Sequence, residues 1–199
     1  MLNPIVQIDT IKQFETKHKI TLPSEYVAFL TILGNGGAGP FYGLEPLENT
    51  LFDDLDYLHN DSLLDPSKPF LHTEAWNMEF EPTLSEDENQ EENDRQYEEF
   101  TDLYFDIEQM NGVIAICNYG CGISLNLVVN GQEYGNIWTD DRGNDGGIYP
   151  IVQLGEKGRI HFLEWYELWL DKSITEIKMN LETKKNSKVE TKKPWWKVW

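Results

Sequence analysis

The sequence predicts an α+β fold: a mainly antiparallel sheet of about five or six strands packed with N-terminal helices, a middle acidic helix and a C-terminal aromatic helix. Two helical patterns joined at a proline open the chain, hairpin signals follow in the second half, and an aromatic helical stripe comes last. With 199 residues and 40% apolar residues, the chain suits one substantial core. We expect a single domain over residues 1–178 and a flexible tail rich in lysine and tryptophan over residues 179–199.

The N-terminal part predicts two consecutive helices. The first runs from about Pro4 to Lys19, because apolar residues recur along one side of it: Ile5, Ile8, Ile11 and Phe14. The second begins near Ser24, a residue type favoured at helix N-caps, and Glu25 suits the positive end of the helix dipole. Its predicted buried stripe is Tyr26, Phe29, Leu30 and Leu33. The glycine-rich run 34–37 then ends it.

Acidic residues are concentrated in two places in the middle of the chain. The first is a cluster next to Tyr57, in a region predicted to be a short helix or turn: Asp53, Asp54 and Asp56. The second begins as a solvated loop over residues 81–94 and continues as a helix from about Asn89 to Met110, whose apolar residues face the sheet. Its acidic exterior is most often only a solvated face, and it is also the strongest candidate for a charged recognition surface.

Apolar runs in the second half of the chain are typical of strands, and a closing helix follows them. The predicted strands are Val113–Cys117, Ser124–Val129, Gln132–Thr139 and Ile148–Ile151. Asn130-Gly131 is a hairpin signal between the second and third runs. The closing helix is predicted over His161–Ile174, and its aromatic face indicates core packing: Phe162, Trp165, Tyr166 and Trp169.

No catalytic residue, cofactor or metal site is predicted. The turn from Asp140 to Gly147 alternates carboxylates with glycines, but no register supplies the ligands of a calcium loop. The four histidines are scattered, and Cys117 and Cys121 are predicted to be buried thiols. The chain lacks a nucleophile elbow, a phosphate-binding loop, an HExxH helix and a dinucleotide glycine pattern. These observations indicate a non-catalytic binding module.

Charge is distributed unevenly along the chain. The formal net charge is −19, and residues 1–171 alone hold 32 acidic and 8 basic residues, a net of −24. The remaining residues carry eight lysines against three glutamates, a net of +5. A body this negative repels nucleic acid and attracts a basic protein. Plain solubility is the alternative explanation of the charge.

The motifs, taken in order, resemble the SUKH superfamily, which groups Smi–Knr-like cell-wall regulators of yeast with bacterial immunity proteins. A Phe-Glu pair, a Leu-Pro before an aromatic residue, a Phe-Leu pair and an Asn-Gly turn come first. Here these are Phe14, Glu15, Leu22, Pro23, Tyr26, Phe29, Leu30 and Gly36. The family's strand, glycine-rich turn and second strand match the region around Gly120 and Gly122. The resemblance covers roughly residues 4–175 and departs from the family at Ile123 and Ser124, where many members place an aspartate.

The resemblance implies an immunity protein that binds and neutralises a toxin, often a nuclease in this superfamily, without catalysis. The alternative is a regulatory scaffold of the Smi–Knr type with no toxin partner. The predicted partner is a basic protein, and the candidate contact residues are Asp53, Asp54, Asp56, Glu86, Asp87, Glu88, Glu91, Glu92, Glu98 and Glu99. The oligomeric state stays open at this point.

The two ends of the chain bear on where the protein works. No basic leader or long apolar run occurs, so we expect a cytoplasmic protein. The last six residues hold three tryptophans, which are expected to dock on the acidic body: Trp195, Trp196 and Trp199. Insertion into a partner and contact with anionic membrane headgroups are the alternatives for these side chains.

Overall fold

The computed structural model describes residues 1–58, 62–81, 90–152 and 159–190. The helices in these ranges are α1 (Ile8–His18), α2 (Ser24–Ala28, continued as a π-helix over Phe29–Leu33), α3 (Gln90–Tyr104) and α4 (Phe162–Glu190). The strands are β1 (Val113–Gly120), β2 (Ile123–Val128), β3 (Ile137–Asp141) and β4 (Gly147–Pro150). Short 3₁₀ turns lie at Leu47–Asn49, Ile107–Met110 and Arg142–Asn144. The predicted α+β class is confirmed.

The sheet is fully antiparallel and follows chain order, β1-β2-β3-β4. In the described part of the chain it has four strands, so the predicted five or six are not confirmed. The largest difference lies in the third predicted strand, of which only the part from Ile137 onward pairs. The preceding residues form a turn instead, because Gly131 and Gly135 adopt positive φ angles of 118° and 89°. The Gly135 N–H then donates to the Val128 carbonyl at 2.8 Å, which closes the turn.

One face of the sheet is covered by helices. Ile114 and Ile116 of β1 and Leu125 and Leu127 of β2 meet apolar side chains from α1, α2 and α4. The aromatic face predicted for the closing helix lies in this core, where Phe162, Trp165 and Tyr166 are buried and Trp169 is partly buried. Phe162 contacts Tyr26 and Phe29 edge-on, with ring centroids 4.9 and 5.3 Å apart. This aromatic packing fixes α2 and the start of α4 on one side of the sheet.

The opposite face of the sheet is covered by loops and by the end of α3. Val113, Ala115, Val128, Trp138 and Ile148 pack there against side chains of the preceding loops: Leu55, Leu64 and Phe70. The helix predicted from Asn89 to Met110 is α3 plus the 3₁₀ turn Ile107–Met110, separated by a break before Asp106. The Asp106 carboxylate accepts from the Glu108 N–H at 2.9 Å and so begins the 3₁₀ turn. Most of the predicted solvated loop, residues 82–89, lies outside the described residues.

Details of the N-terminal helices differ from the prediction. α1 begins at Ile8 rather than Pro4, because the Val6 N–H donates to the Leu30 carbonyl at 2.8 Å and holds the preceding residues extended. Ile5 and Ile8 are therefore exposed, whereas Val6 and Ile11 are buried. In the second helix Leu33 is 47% exposed, since the wider π-turn rotates it off the stripe. Pro23 occupies the N-cap position predicted for Ser24.

The last helix is longer than predicted. α4 ends at Glu190 instead of Ile174, so it includes the beginning of the expected tail, whereas residues 191–199 with the three tryptophans lie outside the described residues. From Leu170 to Lys184 its side chains are exposed, apart from the half-buried Ser173. No helix in the described ranges is both long and apolar enough to cross a lipid bilayer.

We expect a chain that ends at Asn180 to keep its thermal unfolding midpoint within a few degrees of the full-length value. Residues 181–184, the removed part whose side chains the structure describes, contribute to neither core, so little apolar surface should be newly exposed. Calorimetry of both chains measures the midpoint. A chain that ends before Phe162 is the control, and it should not fold. A large loss in the Asn180 chain would show that the C-terminal tryptophans belong to the core.

Candidate functional site

A cleft of about 330 Å³ opens where the turn between β1 and β2 meets the loop that holds the first acidic cluster. Four carboxylates and one guanidinium line it together with the turn itself and the end of α3. The charged lining residues are Asp53, Asp54, Asp56, Asp140 and Arg142. We refer to this concavity as the acidic cleft.

The loop at residues 53–56 is shaped by its own carboxylates and by one apolar anchor. Leu55 is 8% exposed and packs in the core on the loop-covered face of the sheet. The aspartates on either side of it therefore face outward. The Asp53 carboxylate accepts from the Asp54 N–H at 2.8 Å, and the Asp54 carboxylate accepts from the Asp56 N–H at 2.8 Å. Aspartate favours such local turns because its short side chain reaches the backbone two residues on.

Asp56 joins this loop to the β1–β2 turn. One of its carboxylate oxygens accepts from the Asn118 side-chain amide at 2.7 Å, and the other accepts from the Gly122 N–H at 3.3 Å. The Asn118 side-chain oxygen in turn accepts from the Gly120 N–H at 2.6 Å. Residues 120–122 all have positive φ angles, which explains the glycines on both sides of Cys121. The glycine-rich turn therefore forms one wall of the acidic cleft.

Arg142 neutralises one of the four aspartates. Its guanidinium pairs with both carboxylate oxygens of Asp140, at 2.8 and 2.9 Å, and donates to the carbonyls of Tyr104 and Asp106, each at 3.0 Å. Arg142 is only 8% exposed, so these four hydrogen bonds replace the water that the buried guanidinium has lost. The arrangement fastens the end of α3 to β3, and the arginine charge balances that of Asp140.

Exposed aromatic rings lie on chain segments that neighbour the acidic cleft. Tyr42 is 78% exposed, its N–H donates to the Asn118 carbonyl at 3.3 Å, and its ring lies against Gly120. Phe41, with a left-handed φ of 53°, packs its ring on Tyr119 at 4.0 Å. Tyr57 is 72% exposed directly after Asp56. We call Phe41, Tyr42 and Tyr57 the aromatic rim.

The second acidic cluster lies on a different surface. Glu91, Glu98 and Glu99 are exposed on α3, and Glu92 is half-buried. Arg95 forms ion pairs with Glu92 and Glu99, so the predicted acidic helix face is partly neutralised. α3 reaches the cleft only at its C-terminal end, and at 1.5 Å per residue Glu98 lies about 9 Å along the axis from Tyr104. Glu86, Asp87 and Glu88 lie outside the described residues.

The two cysteines differ in exposure. Cys117 is fully buried at 0% exposure, and burial raises the pKa of its thiol. Cys121 is exposed at the tip of the β1–β2 turn, so the prediction that both thiols are buried is wrong for this residue. The turn conformation explains the difference, because its positive φ angles direct residue 121 away from the sheet.

Two of the three carboxylates in the turn from Asp140 to Gly147 are engaged within the protein. Asp141 accepts from the Asn144 amide at 3.0 Å and from the Tyr149 hydroxyl at 3.1 Å. Asp140 pairs with Arg142, as described above. Among the described residues no group of three or more histidine, cysteine, aspartate or glutamate side chains has a geometry that could hold a metal ion.

A model of the SMI1 / KNR4 family (SUKH-1) matches residues 6–169. The chain belongs to the SMI1/KNR4 family. The matched region includes the whole acidic cleft and ends at Trp169, the last α4 residue that packs on the described core. No curated protein and no solved structure matches the chain.

The contacts of the motif residues explain why these residue types stand at these positions of the SMI1/KNR4 domain. The Glu15 carboxylate accepts from the Leu22 N–H at 2.8 Å and so fixes the junction between α1 and α2. A Cβ atom on Gly36 would lie 2.6 Å from two backbone carbonyl oxygens, so only glycine fits there. The buried motif residues are Leu22, Pro23, Tyr26, Phe29 and Leu30, whereas Phe14 is half-buried against His18.

Proposed function

We propose that this SMI1/KNR4 protein is a non-catalytic immunity protein that neutralises a cognate basic toxin domain by binding it at the acidic cleft. The observation that carries the proposal is the placement of Asp53, Asp54 and Asp56 in one concave site, with the exposed Tyr57 directly after Asp56. Concave sites with a few charged groups and nearby aromatic rings are common recognition surfaces.

The electrostatics of the cleft favour a cationic partner. Among the described residues, neither Asp54 nor Asp56 has a salt-bridge partner, and the body of the protein carries a net charge of −24 over residues 1–171. This field attracts a basic surface over a long range and accelerates its association. A lysine or arginine side chain of the partner can then pair with the cleft carboxylates, where close charge pairs are worth about 1.5–7 kcal/mol.

The aromatic rim supplies the apolar part of the proposed interface. Tyr and Trp are enriched among the residues that dominate binding energy, because a rigid ring buries a large area at low entropic cost. Aromatic faces also attract lysine and arginine cations by about 0.5–2 kcal/mol. Tyr57 directly follows Asp56, and the Tyr42 ring lies against Gly120 of the β1–β2 turn, which Asp56 also contacts through the Gly122 N–H.

The carboxylates of the acidic cleft indicate the class of partner. A nuclease is basic where it grips phosphate, so a protein that presents oriented carboxylates can occupy that surface as a phosphate mimic. A nuclease toxin encoded next to this protein is therefore the partner to test first. A lone gene and a partner without toxin activity would instead favour the regulatory scaffold.

Replacing Asp53 and Asp54 with asparagine should slow association with the toxin about 5- to 10-fold at low salt and reduce its salt dependence. Asparagine keeps a side-chain oxygen for the Asp54 and Asp56 N–H groups, so the change removes charge and leaves the loop intact. Stopped-flow or surface-plasmon measurements at two ionic strengths give the rates. The triple variant with Asp56→Asn should show a larger effect.

A matched control removes the same charge from α3. Glu91 and Glu98 are exposed and take no part in the Arg95 ion pairs. Glu91→Gln with Glu98→Gln therefore removes the same two negative charges, away from the cleft. Equal rates for the two double variants would mean that only overall charge matters and that the cleft is a solvated face. Turnover of a substrate by the wild type, with no partner found, would overturn the binding-module proposal itself.

A further inference from the structure

The C-terminal half of α4 carries apolar side chains that no other described residue covers. Leu170, Ile174, Ile177 and Leu181 are 40%, 39%, 59% and 54% exposed. Their spacing of four, three and four residues places them in one line along the helix, as the a and d positions of a coiled coil do. We call these four residues the α4 stripe.

Among the described residues, the body of the chain does not pack on the α4 stripe. The side chains that attach α4 to the core come from its first two turns: Phe162, Trp165, Tyr166 and Trp169. At about 100° per residue, the stripe is rotated roughly a quarter turn from the direction in which those aromatic residues point. The helix continues past Trp169, and in the described part of the chain nothing buries the stripe, so another molecule can pack on it.

The charge of this part of α4 indicates what kind of molecule covers the α4 stripe. Residues 170–184 contain three acidic residues and three lysines, so this part of α4 is neutral, while residues 1–171 carry −24. A basic partner is attracted to the acidic cleft and gains nothing at the stripe. Two copies of this chain, by contrast, repel each other everywhere on their bodies and least along this helix.

We propose that the α4 stripe pairs in antiparallel orientation with the α4 stripe of a second copy of this chain. In that arrangement Leu170 faces Leu181 of the second copy, and Ile174 faces its Ile177. Asp171 and Lys178 flank the stripe on one side, so each Asp171 approaches a Lys178 of the second copy, twice per dimer. Opposite charges at flanking positions select orientation in paired helices.

Antiparallel pairing also separates the two negative bodies. The overlap from residue 170 to residue 181 is about 17 Å long at 1.5 Å per residue, and the bodies lie at its opposite ends. This distance exceeds the screening length of about 8 Å at physiological ionic strength, whereas parallel pairing places the bodies side by side. Because the overlap is short, we expect a reversible dimer with a dissociation constant on the order of 10 µM.

Sedimentation equilibrium of the full-length chain between about 1 and 100 µM tests the proposal. The wild type should approach twice the mass of the 23.2 kDa chain at the upper end. Ile174→Glu with Ile177→Glu should remain monomeric throughout, with an unchanged circular dichroism spectrum. Leu168→Glu with Met179→Glu is the matched control, since these residues are also exposed but lie off the stripe, and it should still dimerise.

Charge reversal tests the orientation. Asp171→Lys alone and Lys178→Asp alone should each weaken the dimer about tenfold, because each places like charges together twice. The double variant should restore wild-type affinity. A monomeric wild type at 100 µM, equal losses in the stripe and control variants, or a monomer that instead binds anionic lipid vesicles would each overturn the proposal. Failure of the double variant to recover would overturn antiparallel pairing.

Discussion

Replacing Arg142 with alanine is expected to lower the free energy of unfolding by about 3–5 kcal/mol. The substitution leaves the half-buried Asp140 carboxylate without its cation and removes donors from the carbonyls of Tyr104 and Asp106. Buried groups that lose one partner keep their full desolvation cost, which is why the expected loss exceeds that of an ordinary ion pair. Urea denaturation monitored by tryptophan fluorescence measures the difference.

A surface ion pair provides the comparison for Arg142. Lys68 and Glu108 lie 2.7 Å apart with both side chains largely exposed, so Lys68→Ala should leave the free energy of unfolding nearly unchanged. A double-mutant cycle of Arg142→Ala with Asp140→Ala should show strong coupling, since the second change removes the stranded carboxylate. A loss below 1 kcal/mol for Arg142→Ala would mean that α3 is not fastened to β3 through this residue.

Replacing Tyr42 with alanine is expected to weaken binding of the cognate partner about 30-fold, equivalent to ~2 kcal/mol, mainly through faster dissociation. This expectation rests on the proposed interface at the aromatic rim. The ring is 78% exposed in the free protein, so its removal should change the free energy of unfolding little. Surface-plasmon measurements of the dissociation rate, together with a thermal melt, separate the two effects.

Tyr42→Phe is the conservative counterpart. It keeps the ring against Gly120 and removes only the hydroxyl, so most of the affinity should remain. If alanine and phenylalanine at this position bind as well as tyrosine, the aromatic rim lies outside the interface, while the carboxylates of the cleft are tested separately by the asparagine variants.

The parts of the fold that local sequence determines were predictable. Helical spacing identified α1, α2 and the aromatic face of α4, since side chains three and four residues apart share a helix face. The π-turn that displaces Leu33 has no comparable local signal. The third strand was overextended because Gly131 and Gly135 were not interpreted as turn positions, although two glycines four residues apart are a visible turn signal.

The candidate site was predictable only in part. The cluster at residues 53–56 is evident from composition, but its cleft depends on contacts that Asp56 makes with residues 62 and 66 positions away. Arg142 reaches the Tyr104 carbonyl across 38 positions, and no spacing rule pairs them. The exposure of Tyr42 depends in the same way on the β1–β2 turn against which it lies. Long-range contacts of this kind do not appear in the periodicity of one sequence.

The hydrogen bonds within the 53–56 loop affect what binding costs. The Asp53, Asp54 and Asp56 carboxylates each accept a backbone N–H, so their rotamers are already restricted before a partner arrives. Ordering a mobile side chain at an interface costs about 0.5–1.5 kcal/mol, and three preoriented carboxylates avoid most of that loss. A cation entering the cleft therefore meets acceptors whose conformational entropy was given up when the chain folded.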